Sequence, residues 1–517
     1  MNLLKAMSAV SGMTLASRVT GLAREVLAAA WFGAGLQMDA FNVAFRAPNM
    51  LRRLFAEGAF SQAFVPVLAE LRARQSPEES GAFVSRVMTL MAAALLILIA
   101  LVVAFPEPLV RLLAVGFYAI PEKAKLTEDL TRITFGYIGW ISLVALMGAV
   151  LNVEKRFGVA AFAPVLLNVA MIGAAWAMRE KFAVPVTALA IGVIIGGAAQ
   201  FLLLVWALRR AQFRFVLDTS WSDPNVARVL KLMVPALFGV SAAQISLLIN
   251  TQIASTMPTG TVSWLSFADR LMEFPTALLG VAAATIILPS LVKHHTEANS
   301  AGYSQLLDWG LRVTILLALP AAVAMATLAT PLVATLFHHG KFSGADVAAT
   351  QAAVMAYGVG LLGLIVVKIL APAFYARQEI SIVVKCSLAS LVFTQVCNAV
   401  FILGLNMAGH VALALSVGFG ACVNAGLLHA VLRRRSIYQP QPGWGRFALR
   451  VLVAVSAMSL VLWLLRGENA TWLHVDALTR VAWLCGLTLI GVIVYFGALA
   501  AVGWRAREFF RRDGPDS

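Results

Sequence analysis

The sequence predicts an all-α, polytopic membrane protein with about fourteen transmembrane helices. Two totals and one pattern carry that reading. Of the 517 residues, 60% are hydrophobic and only 13% charged, against about 25% charged in soluble domains. The mean hydropathy is +0.84. Apolar runs long enough to cross a bilayer recur along the whole chain, separated by polar breaks.

In order, the spans are expected at 10–33, 39–68, 86–110, 131–152, 159–178, 185–208, 228–252, 261–291, 309–332, 350–374, 380–403, 410–432, 446–466 and 480–503. The positive-inside rule orients them. One set of loops holds Arg72, Arg74 and Arg86, then Lys155 and Arg156, then Arg209, Arg210 and Arg214, then Lys293 and Arg377. Arg433, Arg434 and Arg435 follow, and the tail adds Arg505, Arg507, Arg511 and Arg512. The opposite loops are richer in acids, among them Glu107, Glu122, Glu128, Asp129, Glu180, Asp346, Glu468 and Asp476. Both termini are therefore expected in the cytoplasm.

The net charge of +15 would suggest nucleic acid only if the bases clustered on a soluble face. They sit mostly between apolar spans, and topology accounts for much of the excess. A basic tail that binds nucleic acid is the alternative set aside. Cys386, Cys397, Cys422 and Cys485 lie in apolar stretches and read as small packing residues, with no metal-ligand spacing and no disulfide framework. Arg18 and Arg24 interrupt the first apolar run, which argues for a retained helix over a signal peptide.

The chain repeats itself. ALAIGVIIGGAAQFLLLVWALRR at 188–210 aligns without gaps on ALALSVGFGACVNAGLLHAVLRR at 412–434, an offset of 224. The same offset, with small shifts, brings Gly136 onto Gly358, Gly58 near Gly280 and Pro66 near Pro289. It spans six helices, an even number, so two six-helix lobes are expected as parallel repeats. The implied divisions are 1–215, 216–438, and 439–517 for the last two helices and the basic tail.

The chemistry concentrates in DAFNVAFRAPNMLRRLFAEGAFSQAFVPVLAE at 39–70. Asn42, Arg46, Asn49, Arg53 and Glu57 follow at helical spacing and form one polar stripe, with Asp39 and Arg52 beside it. Pro48 is expected to bend or open the helix. An intramembrane charge costs roughly 3 to 17 kcal/mol, so such a stripe needs a wet cavity or anionic partners. The alternative is an amphipathic helix lying on the membrane surface. In the first span Ser17, Gly21 and Arg24 share a face, and Arg18 and Glu25 share another. The eighth span adds Ser263, Ser266, Asp269, Arg270 and Glu273 before Pro275, and Lys368, just before Pro372 in the tenth, is expected as a further buried cation. Together these make a cationic set suited to a polyanion, because the arginine fork matches phosphate. Each pair, such as Arg24 with Glu25 or Arg270 with Glu273, has the plainer reading of an ion pair that holds helices together. Arg52 and Arg53 are also placed to snorkel toward water.

No G-x-x-x-x-G-K-[ST] loop, HExxH helix or serine elbow is present. The chain reads as a non-enzymatic transporter with no cofactor and no metal. Ser241, Gln244 and Asn250 in the seventh span, and Thr394, Gln395 and Asn398 in the eleventh, fit either ion coordination or interhelical hydrogen bonds. An inside-negative potential favours outward movement of an anion by roughly 2.3 kcal/mol per charge per 100 mV. An ion-coupled drug exporter and a non-transporting scaffold are the competing classes. The basic surplus argues against a cavity for cationic drugs.

MNLLKAMSAVSGMTLASRVTGLARE, the 39–70 block, SWLSFADRLMEFPTALLGVA and QPQPGWGRF closely resemble the MurJ (MviN) family of lipid II flippases, over essentially the whole chain. The resemblance implies the multidrug/oligosaccharidyl-lipid/polysaccharide exporter superfamily. It implies a central cationic cavity worked by alternating access, and a groove at helices 13 and 14 for the undecaprenyl tail. It implies a bacterial inner membrane, lipid II as substrate, membrane lipid as surroundings, and the cell-wall synthesis machinery as a possible neighbour. Arg24, Glu25 and Arg270 match the positions that contact the headgroup diphosphate. Ser17, Arg18, Asp39, Asn49, Arg52, Arg53, Glu57, Ser263, Asp269 and Glu273 fall in motifs the family treats as functional. Arg46 and Lys368 join them as cavity charges, and Gly21, Pro48 and Pro275 as hinges. Some members have a sodium site with acids in helices 7 and 11. No acid stands in those spans here, so membrane potential is the expected drive. A flippase for another undecaprenyl-diphosphate saccharide is the nearest alternative.

Overall fold

The structure, a computed structural model, describes residues 3–52, 60–74, 76–213, 215–220 and 223–504, without the side chains of 3–11, 77, 234–242 and 281–286. Arg53, Glu57 and Gly58, the Ser241 side chain and the basic tail lie outside the described residues. The described residues are helical and contain no strand. They fall into two compact units, Met1–Ser263 and Trp264–Ser517.

The first unit holds α1 (Leu3–Phe32), α2 (Leu36–Leu51), α3 (Phe60–Arg74), α4 (Pro77–Ala104), α5 (Glu107–Ala114), α6 (Pro121–Thr134), α7 (Tyr137–Val153), α8 (Phe157–Met178), α9 (Thr187–Arg210) and α10 (Pro224–Ser255). The second begins within α11 (Thr261–Pro275). It continues through α12 (Ala282–Thr296), α13 (Ser300–Thr327), α14 (Ala329–Phe337), α15 (Gly344–Tyr375), α16 (Ile380–Ala399), α17 (Gly409–Arg434), α18 (Trp444–Leu465), α19 (Thr471–His474) and α20 (Ala477–Ala501).

Among the described residues, ten helical segments are long and apolar enough to cross a membrane, so the protein is a multi-pass membrane protein. They coincide with ten expected spans, the third to sixth and the ninth to fourteenth. The other four segments are those richest in charge or only partly described. They form α1, α2 with α3, α10, and α11 with α12. Of the stretch expected as one helix over 39–68, the described parts are helical, α2 up to Leu51 and α3 from Phe60, with 53–59 outside the described residues. Helix α11 ends at Pro275, and a wider π-type turn over Thr276–Val281 leads into α12. Proline lacks the amide hydrogen that would continue the ladder. Next to it, the Thr276 hydroxyl donates to the Met272 carbonyl at 2.8 Å.

Helix starts follow local chemistry. Ser76 and Glu79 bond each other's backbone N–H at the head of α4, and Ser343 and Asp346 do so at the head of α15. Asp223, Asn299 and Asp476 each accept a backbone N–H at the heads of α10, α13 and α20. Packing in both units depends on small residues. A Cβ at Gly196 of α9 would lie 2.8 Å from the Leu167 Cα of α8. Its counterpart at the 224 offset, Gly420 of α17, packs as closely on Thr394 of α16. Without a side chain at these two positions, α9 closes on the backbone of α8 and α17 closes on the Thr394 side chain. In the second unit, α12, α13, α15 and α17 enclose an apolar core that includes Leu291, Leu307, Ile369, Phe374, Leu428 and Leu432. Of the cysteines, Cys386 and Cys397 are buried, whereas Cys422 and Cys485 lie on exposed helix faces.

The repeat divides the sequence at 215/216, whereas the packing boundary falls at Ser263. The difference is α10, which packs in the first unit on α3 and α5. The side chain of Gln252 on α10 donates to the carbonyls of Arg111 and Leu112 and accepts from Val115 N, sewing α10 to the end of α5.

Candidate functional site

In the first unit, α1 carries Arg24 and Glu25 at adjacent positions. Both are nearly buried, and Arg24 Nη2 meets Glu25 Oε1 at 2.5 Å. The other arm, Nη1, donates to Asn168 Oδ1 at 3.0 Å. Asn168, on α8, turns its amide to the Ser17 carbonyl at 3.1 Å and to Thr20 Oγ1 at 3.2 Å. One buried amide thus pins the arginine and the helix that carries it. Gly21 lies on the same face, and a Cβ there would sit 3.5 Å from the Asn168 amide. Helix α1 runs unbroken through it. Ser17 and Arg18 are half-buried.

Asp39 on α2 is fully enclosed. Its Oδ2 receives Lys123 Nζ of α6 at 2.7 Å and Gly260 N at 2.8 Å. Its Oδ1 receives Ser263 N at 2.9 Å and Ser263 Oγ at 2.6 Å. The carboxylate therefore caps the first turn of α11, where unbonded N–H groups favour a negative charge. Lys123 also lies 4.0 Å above the Phe117 ring. Asn42 donates to Ser263 Oγ at 3.3 Å. So Asp39 and Ser263 are built into a buried network, each with its polar atoms engaged inside the protein. Further along α2, Arg46 bonds the Thr251 hydroxyl of α10. Arg52 gives two nitrogens to Asn49 Oδ1, at 3.1 and 3.0 Å. Pro48 is buried inside α2. Asn49 and Arg52 remain half-buried, open enough to meet a ligand.

The second unit presents its charges more openly. Arg270 and Glu273, one turn apart on α11, pair at 2.8 Å with side chains 37% and 34% exposed. Asp269 is exposed beside them on the same helix, which ends at Pro275. Lys368 on α15, expected to be buried, is instead exposed, with its stem against Gly280 in the π turn. Neighbouring Trp264 is anchored by Nε1 to Asp346 at 2.8 Å and packs edge-on to His410.

Three residues of this chemistry escaped sequence reasoning. Asn168 left a faint signal, as a lone amide in an apolar span. Lys123 left none, because it sits in an acid-rich segment that reads as a loop. Asp308 binds Arg312 Nε at 2.8 Å, and its Oδ1 accepts from Tyr438, Trp444 and the Gln441 amide. It thereby orders the QPQPGWGRF segment, in which Gly443 takes a left-handed φ of 92° that favours glycine. Of the polar side chains expected near an ion site, Thr394 donates to the Ser390 carbonyl and Asn398 donates to Gln395 Oε1. Among the described residues no three His, Cys, Asp or Glu side chains converge as metal ligands.

The sequence profile of the family described as "Lipid II flippase MurJ" matches residues 28–482. The chain belongs to this MurJ family. A MurJ protein of Burkholderia cenocepacia, named as a lipid II flippase, is 48% identical over 99% of this chain and 100% of that protein. A probable lipid II flippase MurJ of Haemophilus influenzae is 39% identical over 97% and 100%. The fold resembles a solved MurJ in an inward closed conformation, with a TM-score of 0.82 at 24% identity over 97% of this chain and 99% of that one. It also resembles an inward-facing multidrug MATE transporter of the MOP superfamily, with a TM-score of 0.69 at 15% identity over 84% and 98%. MurJ membership thus agrees with the resemblance drawn from the charged blocks.

Proposed function

We propose that the protein moves lipid II, the undecaprenyl-diphosphate-linked peptidoglycan precursor, from the cytoplasmic to the periplasmic leaflet of a bacterial inner membrane. The observation that carries this is the full-length identity of 48% to a lipid II flippase. In this reading the four charged segments cross the membrane too, giving fourteen crossings with both termini cytoplasmic. The two repeat lobes and the last two helices act as the sequence divides them. The substrate crosses chemically unchanged, so the protein acts as a transporter and not an enzyme.

Arg24 and Arg270 bind the diphosphate. Each already holds a neighbouring carboxylate, Glu25 at 2.5 Å and Glu273 at 2.8 Å. The phosphates then replace one anion with another around each guanidinium, and neither arginine is bare between cycles. Ser17, Arg18, Asn49 and Arg52 line the headgroup's path, joined by Arg53. Arg46, Glu57, Asp269 and Lys368 set the field. Asp39 and Ser263 hold the start of α11, on which Arg270 rides. The π turn after Pro275 and the residues around Pro48 absorb the conformational change, with Gly21 permitting close approach. Membrane potential drives the outward step.

Cells depleted of their own flippase test this. Expression of the chain is expected to restore growth and shape and to relieve intracellular accumulation of lipid II. Failure to restore either, with membrane insertion confirmed, contradicts the substrate assignment.

A further inference from the structure

The second unit contains an apolar pocket of about 400 Å³, within the range of about 300 to 1,000 Å³ typical of ligand sites. Its walls are Leu311 and Ile315 of α13, Leu370 of α15, and Ala425 and Gly426 of α17. The Tyr438–Trp444 segment closes one side. That side is fixed, because Tyr438 and Trp444 both donate to the buried Asp308. The space exists because α17 turns its smallest residues to it. Elsewhere on the α15–α17 contact a glycine is needed for helix approach: a Cβ at Gly363 would lie 2.7 Å from Cys422 N. A Cβ at Gly426 would meet nothing within 4 Å. Packing does not require Gly426, and a side chain there would enter the pocket.

The rim is cationic. Arg433 stands one turn beyond the pocket residue His429 on the same face of α17. Arg435 pairs with Glu379 at 3.1 Å, whereas Arg433 and Arg434 are exposed and carry no ion pair among the described residues. Helix α17 is one of the membrane-crossing segments and ends at Arg434. Gly426 precedes Arg433 by seven residues, or about 10 Å along the axis. The polar layer on each side of a bilayer is about 5 to 8 Å deep. A phosphate held at Arg433 therefore leaves its hydrocarbon at the depth of Gly426.

We propose that this pocket binds one acyl chain of an anionic phospholipid, with its phosphate on Arg433 and Arg434. The occupant is a resident lipid, separate from the transported substrate, and the assignment does not depend on what the protein transports. Basic sites at helix ends select anionic headgroups in this way.

The test reconstitutes the full chain in phosphatidylcholine vesicles containing phosphatidylglycerol with a diazirine in its acyl chain, followed by irradiation and peptide mapping. Labelling is expected on the 311–315 and 425–429 segments. Gly426→Leu should lower it at least about tenfold by filling the space. Arg433→Gln should lower it about fivefold for phosphatidylglycerol and leave a matching phosphatidylcholine probe unchanged. Thermal unfolding of each variant in detergent checks that it is folded, and should Gly426→Leu fail to fold, the Arg433→Gln comparison decides. Labelling absent from these segments, or unchanged in both variants, overturns the proposal. So does equal labelling by the two headgroups in the wild type. Displacement of the probe by undecaprenyl phosphate, but not by unlabelled phosphatidylglycerol, would give the pocket to the isoprenoid instead and equally overturn it.

Discussion

Asp39 and Lys123 form an ion pair at 2.7 Å with side chains 1% and 3% exposed. The carboxylate spends its remaining capacity on Gly260 N, Ser263 N and the Ser263 hydroxyl. A buried pair of this kind is weak evidence of net stability, but breaking it leaves one charge stranded. Lys123→Met is therefore expected to destabilise the protein by about 3 to 5 kcal/mol. The double variant Asp39→Asn with Lys123→Met should recover a large part of that loss. Thermal unfolding in detergent would show it. An unchanged midpoint for the single variant would mean that water already reaches the carboxylate.

Asn168 offers a sharper functional test, because its link to the site is its bond to Arg24. Asn168→Leu removes the acceptor for Arg24 Nη1 and the donor to Ser17 and Thr20. The loss of a buried bond to a charged group is worth about 1.5 to 3 kcal/mol. Transport is expected to fall by roughly tenfold or more, and Asn168→Asp, which keeps an acceptor, should fall less. Equal rates for both variants and wild type would remove Asn168 from the positioning of Arg24.

Asp308 holds the segment before α18 through three donors, Tyr438, the Gln441 amide and Trp444, and pairs with Arg312 on its own helix. Asp308→Ala leaves the Tyr438 and Trp444 donors without their acceptor and removes the carboxylate partner of Arg312, and should cost about 3 to 5 kcal/mol. Burial, reinforced by the bond to Asp308, pushes the Tyr438 phenol above its ordinary range. A raised pKa adds stability below the unfolded value of about 10 and loses it as pH rises through the folded value. Alkaline unfolding should therefore begin at lower pH in Asp308→Asn. Superimposable alkaline curves would contradict this.

At the loop before α10, Arg86 bonds Asp218 at 2.6 Å and also meets Asp223. The Arg86 guanidinium, with Ser220, holds the Asp218 carboxylate well below the usual range. A lowered pKa gives stability that is complete above the unfolded value of about 3.9 and is lost only as pH falls through the folded one. Hydrogen exchange of residues 215–220 should accordingly be insensitive to protonation of this pair between about pH 5 and 8, after correction for intrinsic rates. Asp218→Asn should raise it at neutral pH. Exchange unchanged by that substitution would mean that the pair does not hold the loop.

The spans were legible because length and apolarity are local properties: all ten strongly apolar crossings lie where hydropathy places them. The break after Pro275 was only half legible. Proline announces a weak point but not whether the helix bends, opens or widens into a π turn. The intrahelical pairing of Arg270 with Glu273 follows from their spacing. The partners of Asp39 do not, because Lys123 and Ser263 come from segments 84 and 224 residues away. Burial was also hidden in the sequence. Arg24 and Arg270 carry the same charge in similar apolar surroundings, yet the first is 9% exposed and the second is half-open.

The most direct measurement is lipid II exposure at the outer face of cells whose own flippase is shut off, supplied with this chain as wild type or as Arg270→Ala. Equal expression and membrane insertion must be verified for both. The account predicts that the wild type restores exposure and that Arg270→Ala does not. Restoration by both would remove Arg270 from the phosphate site. Restoration by neither, with both inserted, would contradict lipid II as the substrate.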